Sequence, residues 1–272
     1  MSLSSLPATA PVEMMVPQAA QLWMNILNWG LVVVVVLLVL NDWRRQGSSV
    51  GVWLVLGGAL TTLNEPIVDV LGKCWFPAIG SMVLLKAWGV SVPTYMVPVY
   101  AWYVGGQAFL AYRLYRKGLS RRGVFGLYAA FAAVNVLLEM PGLNLPQPLY
   151  SYYGDQPLVV LRFPLWWTFC NALMPMMIAG VAYIGEPLLQ GARRLLLVPL
   201  VWMTAAATNA LVAAPIWVAL NAEGTNLAWT HLAAAVSFGM GLMVCYGLSQ
   251  AVASDAEPWT GRHRPVPAPS RG

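Results

Sequence analysis

Charged side chains are scarce in this sequence, and that scarcity limits what the protein can be. Of 272 residues, only 15 are Lys or Arg and 10 are Asp or Glu, whereas 59% are hydrophobic. A chain of this composition cannot bury its apolar surface in one water-soluble core, so it is predicted to be an integral membrane protein. The net charge of +5 then reports on membrane topology, and no nucleic-acid partner is expected.

Other absences exclude several classes of membrane protein. The last apolar segment has no Lys for a retinal Schiff base, and His231 is its lone histidine, which excludes a rhodopsin and a bis-histidine haem protein. The sequence has no HExxH, GxSxG or phosphate-loop motif, and its three cysteines lack metal-type spacing. We therefore expect no metal and no cofactor, and leave a Cys74–Cys170 disulfide open.

Seven apolar segments are long enough to cross a bilayer, so we predict an all-α polytopic fold with seven transmembrane helices. They lie at 18–41, 49–72, 93–115, 122–140, 164–186, 195–220 and 227–251. Residues 1–17 form an N-terminal extension, 18–252 the membrane domain, and 253–272 a Pro-rich tail predicted to be disordered. Of the 15 basic residues 12 lie on one side, leaving Lys73, Lys86 and Arg162 on the other. The N-terminus is therefore predicted outside and the C-terminus in the cytoplasm.

Three carboxyl groups lie inside or at the ends of these apolar segments, where a charge is costly and usually functional. Glu65 and Asp69 are four residues apart, which places both on one helix face. Counting about 1.5 Å per helical residue puts these two and Glu139 in the outer half of the membrane. Pro66 is expected to interrupt the second helix beside Glu65. We predict that Glu65, Asp69 and Glu139 are catalytic.

Further polar and aromatic side chains lie at a similar depth and are predicted to bind substrate: Asn25, Asn64, Tyr103, Asn135, Trp167, Asn171, Asn209 and His231. Two long outer connections, at 73–92 and 141–163, are rich in aromatic residues and could cover the helix ends. The structural alternative is that the Asn residues join helices by hydrogen bonds and that the carboxyls are protonated packing groups.

The second segment also carries a family-like motif. Asn64-Glu65-Pro66 is followed by Val68-Asp69, Leu71-Gly72 and Trp75-Phe76-Pro77. This pattern resembles the spirocyclase AveC family of actinobacterial membrane proteins. The resemblance implies spiroketal formation on a polyketide and a bacterial cytoplasmic membrane. In architecture the chain is also similar to the small seven-helix membrane terpene cyclases, which use intramembrane carboxyls.

These resemblances imply a lipophilic small-molecule substrate and metal-free cyclisation within the lipid bilayer. Glu65, the deeper acid, is expected to protonate a leaving hydroxyl, and Asp69 to remain ionised and stabilise the cation or accept a proton. Glu139 is the alternative base. A terpene cyclase would use the same acid, with Trp167 shielding the carbocation. A transporter or lipid-binding protein without catalysis stays open, and the sequence does not indicate an oligomeric state.

Overall fold

A computed structural model describes residues 6–255 of the protein. The fold is 69% helical, and six helices are long and apolar enough to cross a membrane. These are Gln18–Gln46, Val50–Gly72, Arg121–Leu143, Trp166–Ile184, Gly191–Asn221 and Leu227–Val252. The prediction of a helical membrane protein is confirmed, and the six helices lie within a few residues of predicted segments. The predicted disordered tail lies almost wholly at 256–272, outside the described residues.

The secondary structure consists of nine α-helices, linked by shorter helical segments, and six short strands among the described residues. The helices are α1 (Gln18–Gln46), α2 (Val50–Leu60), α3 (Glu65–Gly72), α4 (Met96–Tyr100), α5 (Gln107–Arg116), α6 (Arg121–Leu143), α7 (Trp166–Ile184), α8 (Leu197–Asn221) and α9 (Leu227–Val252). The strands are β1 (Cys74–Trp75), β2 (Val83–Ala87), β3 (Val90–Pro93), β4 (Ser151–Tyr152), β5 (Val159–Val160) and β6 (Phe163–Pro164).

The second predicted span is interrupted where Pro66 stands. A 3₁₀ segment, Thr61–Asn64, joins α2 to α3, and Pro66 lies in the first turn of α3, where its missing N–H costs nothing. The hydroxyls of Thr61 and Thr62 donate to the carbonyls of Gly57 at 3.0 Å and Ala59 at 2.8 Å. The predicted interruption beside Glu65 is therefore confirmed.

The third predicted span, 93–115, is divided and is not among the six long helices. A π-helical segment, Ala101–Gly106, separates α4 from α5. At this place a Cβ on Gly58 of α2 would meet the Gly105 nitrogen at 2.6 Å. A Cβ on Gly105 would meet the Leu54 carbonyl oxygen, also at 2.6 Å. The two backbones thus touch, and only glycine fits at the crossing.

Short sheets join the long connections at one end of the bundle, which we call the loop end; the Arg-rich turns lie at the opposite, basic end. Strand β1 pairs antiparallel with β4, which links the connection after α3 to the one after α6. Strands β2 and β3 form one hairpin, and β5 and β6 another. The all-α prediction describes the membrane region and misses these strands.

Residues 6–16, which precede α1, pack on the loop end of the bundle and are therefore part of the fold rather than a free extension. Met15 forms a parallel β-bridge with Ile79, and the Gly154 N–H donates to the Pro7 carbonyl at 2.8 Å. The Gln147 amide donates to the Met15 carbonyl at 2.9 Å. Residues 6–16, 73–93 and 144–163 together form a cover that we call the lid.

Helix α7 occupies the centre of the bundle and packs against α5, α6, α8 and α9. Its core positions Leu173 and Met176 are fully buried. Helix α1 is peripheral by contrast and packs mainly on α2 and on the segments from Met96 to Gly106. At the basic end of α1, the buried Asp42 pairs with Arg113 of α5, which compensates a charge that would be costly alone.

Candidate functional site

A cavity lies just beneath the lid, between α3, the α4–π segment, α6, α7 and α8. Its volume is about 90 Å³. Helix α1 contributes Met24 to its wall, and the lid contributes its roof. The polar and aromatic lining residues are Glu65, Asp69, Cys74, Phe76, Tyr95, Tyr100, Tyr103, Asn135, Glu139, Tyr150, Tyr152, Trp167, Asn171 and Asn209.

The structure brings eight of the eleven predicted site residues to this cavity. They are Glu65, Asp69, Tyr103, Asn135, Glu139, Trp167, Asn171 and Asn209. These residues come from α3, the π segment, α6, α7 and α8. Elements far apart in sequence thus converge at one level of the bundle.

Asn25 and Asn64 do not line the cavity, contrary to the prediction that they bind substrate. The Asn25 amide donates to the Gln21 carbonyl at 3.0 Å and accepts from the Thr94 hydroxyl at 3.3 Å. Asn64 accepts from the Trp202 indole at 2.6 Å. Both therefore join elements of the fold, as the structural alternative expects.

His231 is also outside the cavity, so its predicted role in substrate binding is not supported by its position. Its side chain is exposed, with Nδ1 2.7 Å from the Leu227 carbonyl and Nε2 accepting from the Leu158 N–H at 3.4 Å. Sequence counting along α9 gives the depth of this residue correctly but not the direction in which it points.

Glu139 is the carboxyl with the most hydrogen-bond donors. The Tyr150 hydroxyl donates to Oε2, the Tyr152 hydroxyl to the same oxygen at 3.4 Å, and the Asn135 amide to Oε1 at 3.5 Å. Burial, and then the neighbouring Glu139, raise the pKa of both tyrosine hydroxyls well above the ordinary value. The two tyrosines therefore remain protonated donors.

Glu65 and Asp69 share the cavity face of α3 but differ in their partners. Both are buried, at 5% and 3% exposure. Glu65 accepts from the Tyr100 hydroxyl. Asp69 Oδ2 has no hydrogen-bond partner among the described residues, and only the weak thiol donor of Cys74 lies beside this carboxyl. Asp69 is therefore as buried as Glu65 and has fewer donors, which does not favour the ionised form expected of it from the sequence.

Six buried polar atoms around the cavity have no partner within residues 6–255: Asp69 Oδ2, Tyr95 OH, Tyr103 OH, Asn135 Oδ1, Trp167 Nε1 and Asn209 Oδ1. An unpaired buried polar atom costs about 1–3 kcal/mol. So many around one cavity indicate a site built to hold water or the polar groups of a ligand.

Aromatic rings complete the wall beside these polar atoms. Trp167 stacks on Trp166 with ring centroids 4.2 Å apart, and Tyr150 stacks on Phe76 at 4.9 Å. Gly72 makes room for Trp167, because a Cβ there would meet its ring at 2.2 Å. The faces of such rings stabilise positive charge.

Cys74 does not supply a nucleophile to this site. Burial, and then the adjacent Asp69, raise the pKa of its thiol well above the ordinary value, so the reactive thiolate is suppressed. All three cysteines are free, which also removes the Cys74–Cys170 disulfide. Within the described residues the carboxyls do not gather with His or Cys as a metal-binding group.

Sequence reasoning missed the tyrosines that bind the carboxyls. Tyr100 is one turn from the predicted Tyr103, and that spacing was a usable signal. Tyr150 lies just before β4 and Tyr152 within it, but their approach to Glu139 depends on the pairing of β4 with β1. Comparison of the chain with protein-family models, with curated proteins and with solved structures finds no match.

Proposed function

We propose that the protein is a membrane-embedded enzyme that cyclises a lipophilic, oxygen-bearing substrate by acid–base chemistry, with spiroketal formation as its reaction. The observation that carries the proposal is the unequal supply of hydrogen-bond donors to three carboxyls on one cavity. Glu139 has three donors, Glu65 has one, and Asp69 has an unpartnered oxygen. Such a difference in environment separates an acid from a base.

The distribution of hydrogen-bond donors supports acid and base roles for the three carboxyls that differ from the roles expected from the sequence. A buried carboxylate without donors is costly, so Asp69 carries the proton and acts as the general acid. Glu139, whose donors favour the ionised form, acts as the base. Glu65 lies one turn from Asp69 and stabilises the positive charge that develops between them.

Spiroketal closure then proceeds in balanced steps from a dihydroxyketone that has closed to a hemiketal. Asp69 gives its proton to the hemiketal hydroxyl, the C–O bond breaks, and water leaves. The resulting oxocarbenium ion lies against Glu65 and the ring of Trp167. The second hydroxyl attacks the cationic carbon and releases its proton to Glu139. Return of that proton to Asp69 leaves one water lost overall.

We also propose that Met96–Arg116 is a seventh span, with the N-terminus outside a bacterial cytoplasmic membrane. The described chain starts at the loop end, where Pro7 bonds Gly154. It finishes at the basic end, where Asp255 accepts from the Arg121 N–H at 2.7 Å. Because the described chain starts and finishes at opposite ends of the bundle, it must cross the membrane an odd number of times. This supports seven membrane spans rather than six.

A proton-coupled transporter is the second candidate, because interrupted helices border the cavity. Both the Thr61–Asn64 and the Ala101–Gly106 segments depart from α-helix there, as in many transporters. A transporter needs access from both membrane faces. Packing toward the basic end, where Val104 and Met176 are fully buried, favours the enzyme.

Comparative metabolite profiling of a deletion strain tests the proposal. We expect the strain to lose a cyclic product and to accumulate an acyclic precursor heavier by one water, with restoration by the wild-type gene. Identical profiles would contradict an enzymatic role. Unchanged compounds that are redistributed between cells and medium would instead support the transporter.

A further inference from the structure

The cavity is too small to enclose a whole lipophilic molecule. Its volume of about 90 Å³ compares with roughly 300–1,000 Å³ for sites that bury most of a drug-sized ligand. Only one end of a substrate fits inside. The rest of the molecule must leave the cavity through an opening, and the position of that opening defines the route of access.

The route does not run through either end of the bundle. Toward the loop end, the roof residues Cys74, Phe76 and Tyr152 are all buried, and the lid is tied down by its own hydrogen bonds. Toward the basic end, Val104 and Ala108 have no exposed surface. The cavity is therefore closed along the bundle axis in both directions.

The exposed part of the wall comes mostly from α1 and α6. Four lining residues are partly exposed, Met24 on α1, Leu138 and Glu139 on α6, and Asn171 on the central α7, whereas the other lining residues are buried.

Helices α1 and α6 both line the cavity, through Met24 and Leu138, but they do not pack closely on each other, and we call the gap between them the seam. Helix α1 packs on α2 and the Met96–Gly106 segments, whereas α6 packs on α7 and α9. Leu27, about one turn from Met24 on α1, is 58% exposed, and Leu137, next to Leu138 on α6, is 73% exposed. Such exposure is expected of side chains that face lipid. The seam therefore joins the cavity wall to the bilayer.

We propose that the substrate enters this cavity sideways from the bilayer, between Met24 of α1 and Leu138 of α6, and leaves its apolar chain in the lipid. That the entering molecule is a substrate rests on the proposed function, whereas the route of entry is inferred from the shape of the cavity. The wall holds three carboxyls and, within the described residues, no Lys, Arg or His. The end that enters is therefore uncharged or cationic, and carboxylate or phosphate ends are rejected.

Timed photolabelling in lipid nanodiscs tests the route. The probe is 1-dodecanol with a diazirine in its chain, photolysed at set times after mixing, with labelled peptides identified by mass spectrometry. In Leu138→Trp and Met24→Trp, we expect labelling of cavity residues to slow by about tenfold or more, because the seam must open further. Leu137→Trp and Leu27→Trp, which add the same bulk on the lipid-facing sides of α6 and α1, should label at the wild-type rate.

A disulfide across the lid separates lateral access from access through the loop end. Met15 and Ile79 are bridge partners, so Met15→Cys with Ile79→Cys can close a disulfide. We expect the same labelling rate with the disulfide formed or reduced. Slower labelling in the disulfide form, together with wild-type rates in both seam variants, would overturn the proposal. Leu138→Phe gives the same comparison if a tryptophan variant fails to fold.

The charge of the probe tests which end is accepted. Diazirine analogues of dodecylamine and dodecanoate share the chain and differ only in the polar end. We expect the alcohol and the amine to label the cavity and dodecanoate to label only the lipid-facing helix surfaces. Equal cavity labelling by dodecanoate, or no cavity labelling by any probe, would overturn the proposal. Cavity labelling through the seam in a protein whose deletion leaves metabolites unchanged would defeat the enzymatic function alone.

Discussion

Two buried aspartates of the fold differ in their partners. Asp42 is paired with Arg113, whereas Asp69 leaves Oδ2 without a partner. An unpaired buried carboxyl weakens a fold, and this is the reason we propose a functional role for Asp69 rather than a packing role.

The contrast predicts different effects of the same substitution. Asp69→Asn should leave the free energy of unfolding nearly unchanged, because the amide replaces a protonated, uncharged carboxyl of the same size. Asp42→Asn should lower it by about 3–5 kcal/mol, because Arg113 loses its partner. Unfolding of the purified variants in detergent measures both. A loss in Asp69→Asn as large as that in Asp42→Asn would identify Asp69 as a structural residue.

At the scale of single residues, the sequence predicted the chemical type of a side chain and its depth in the membrane better than the direction in which it points. The spacing of Glu65 and Asp69 fixes their common face, since both lie on one short helix. For Asn25 and His231, counting along a helix gave a plausible depth, but rotation about the helix axis is set by packing between helices. The spacing of Tyr100 from Tyr103 was a usable signal, whereas the approach of Tyr150 to Glu139 required a tertiary contact that no local pattern encodes.

The interrupted helices position the site at the scale of elements. Pro66 predicts one of these interruptions from the sequence, because proline lacks the N–H that would donate a helical hydrogen bond. The π segment at Ala101–Gly106 follows Pro98 and contains Gly105 and Gly106, which weaken an α-helix without specifying a π-helix. At this segment the backbones of Gly58 and Gly105 approach closely, although the two residues are 47 positions apart in the sequence.

Adding a single methyl group at this crossing should therefore separate the two helices. Gly58→Ala is expected to lower stability by about 1–3 kcal/mol through overpacking, and to reduce activity because Tyr100 and Tyr103 lie on the displaced segment. Gly126→Ala, on the lipid-facing side of α6 with nothing within 4 Å, should change stability by less than about 1 kcal/mol. Thermal unfolding of the two variants, compared with wild type, decides the matter; equal stabilities would show that the crossing tolerates a side chain.

The short strands of the lid were not predicted because they are defined by their partners. Cys74–Trp75 and Ser151–Tyr152 are two residues each, too short for a recognisable alternation. Their pairing joins connections separated by two membrane segments. Aromatic content did indicate that these connections cover the helix ends, and the structure places Phe76 and Tyr152 in the roof of the cavity.

At the scale of the whole molecule, the proposed topology predicts which residues water-soluble reagents reach. Asp155→Cys at the loop end should react with an impermeant maleimide in intact cells, whereas Lys117→Cys at the basic end should react only after permeabilisation. Both positions are exposed, and the native cysteines are buried, which keeps the background low. Labelling of Lys117→Cys but not Asp155→Cys in intact cells would reverse the orientation, and labelling of both would contradict the crossing of α6 between them.

The central claim is that the carboxyls of the cavity carry out acid–base cyclisation, and the rate of product formation by Asp69→Asn tests it most directly. The substrate is the precursor that accumulates in the deletion strain, supplied to wild-type and variant protein in nanodiscs at matched concentration. We expect Asp69→Asn to fold normally and lose about 100- to 10,000-fold in rate, because the amide cannot deliver a proton. Asp155→Asn, an exposed change of the same chemistry, should keep the full rate. A stable Asp69→Asn protein that turns over at the wild-type rate would contradict the account.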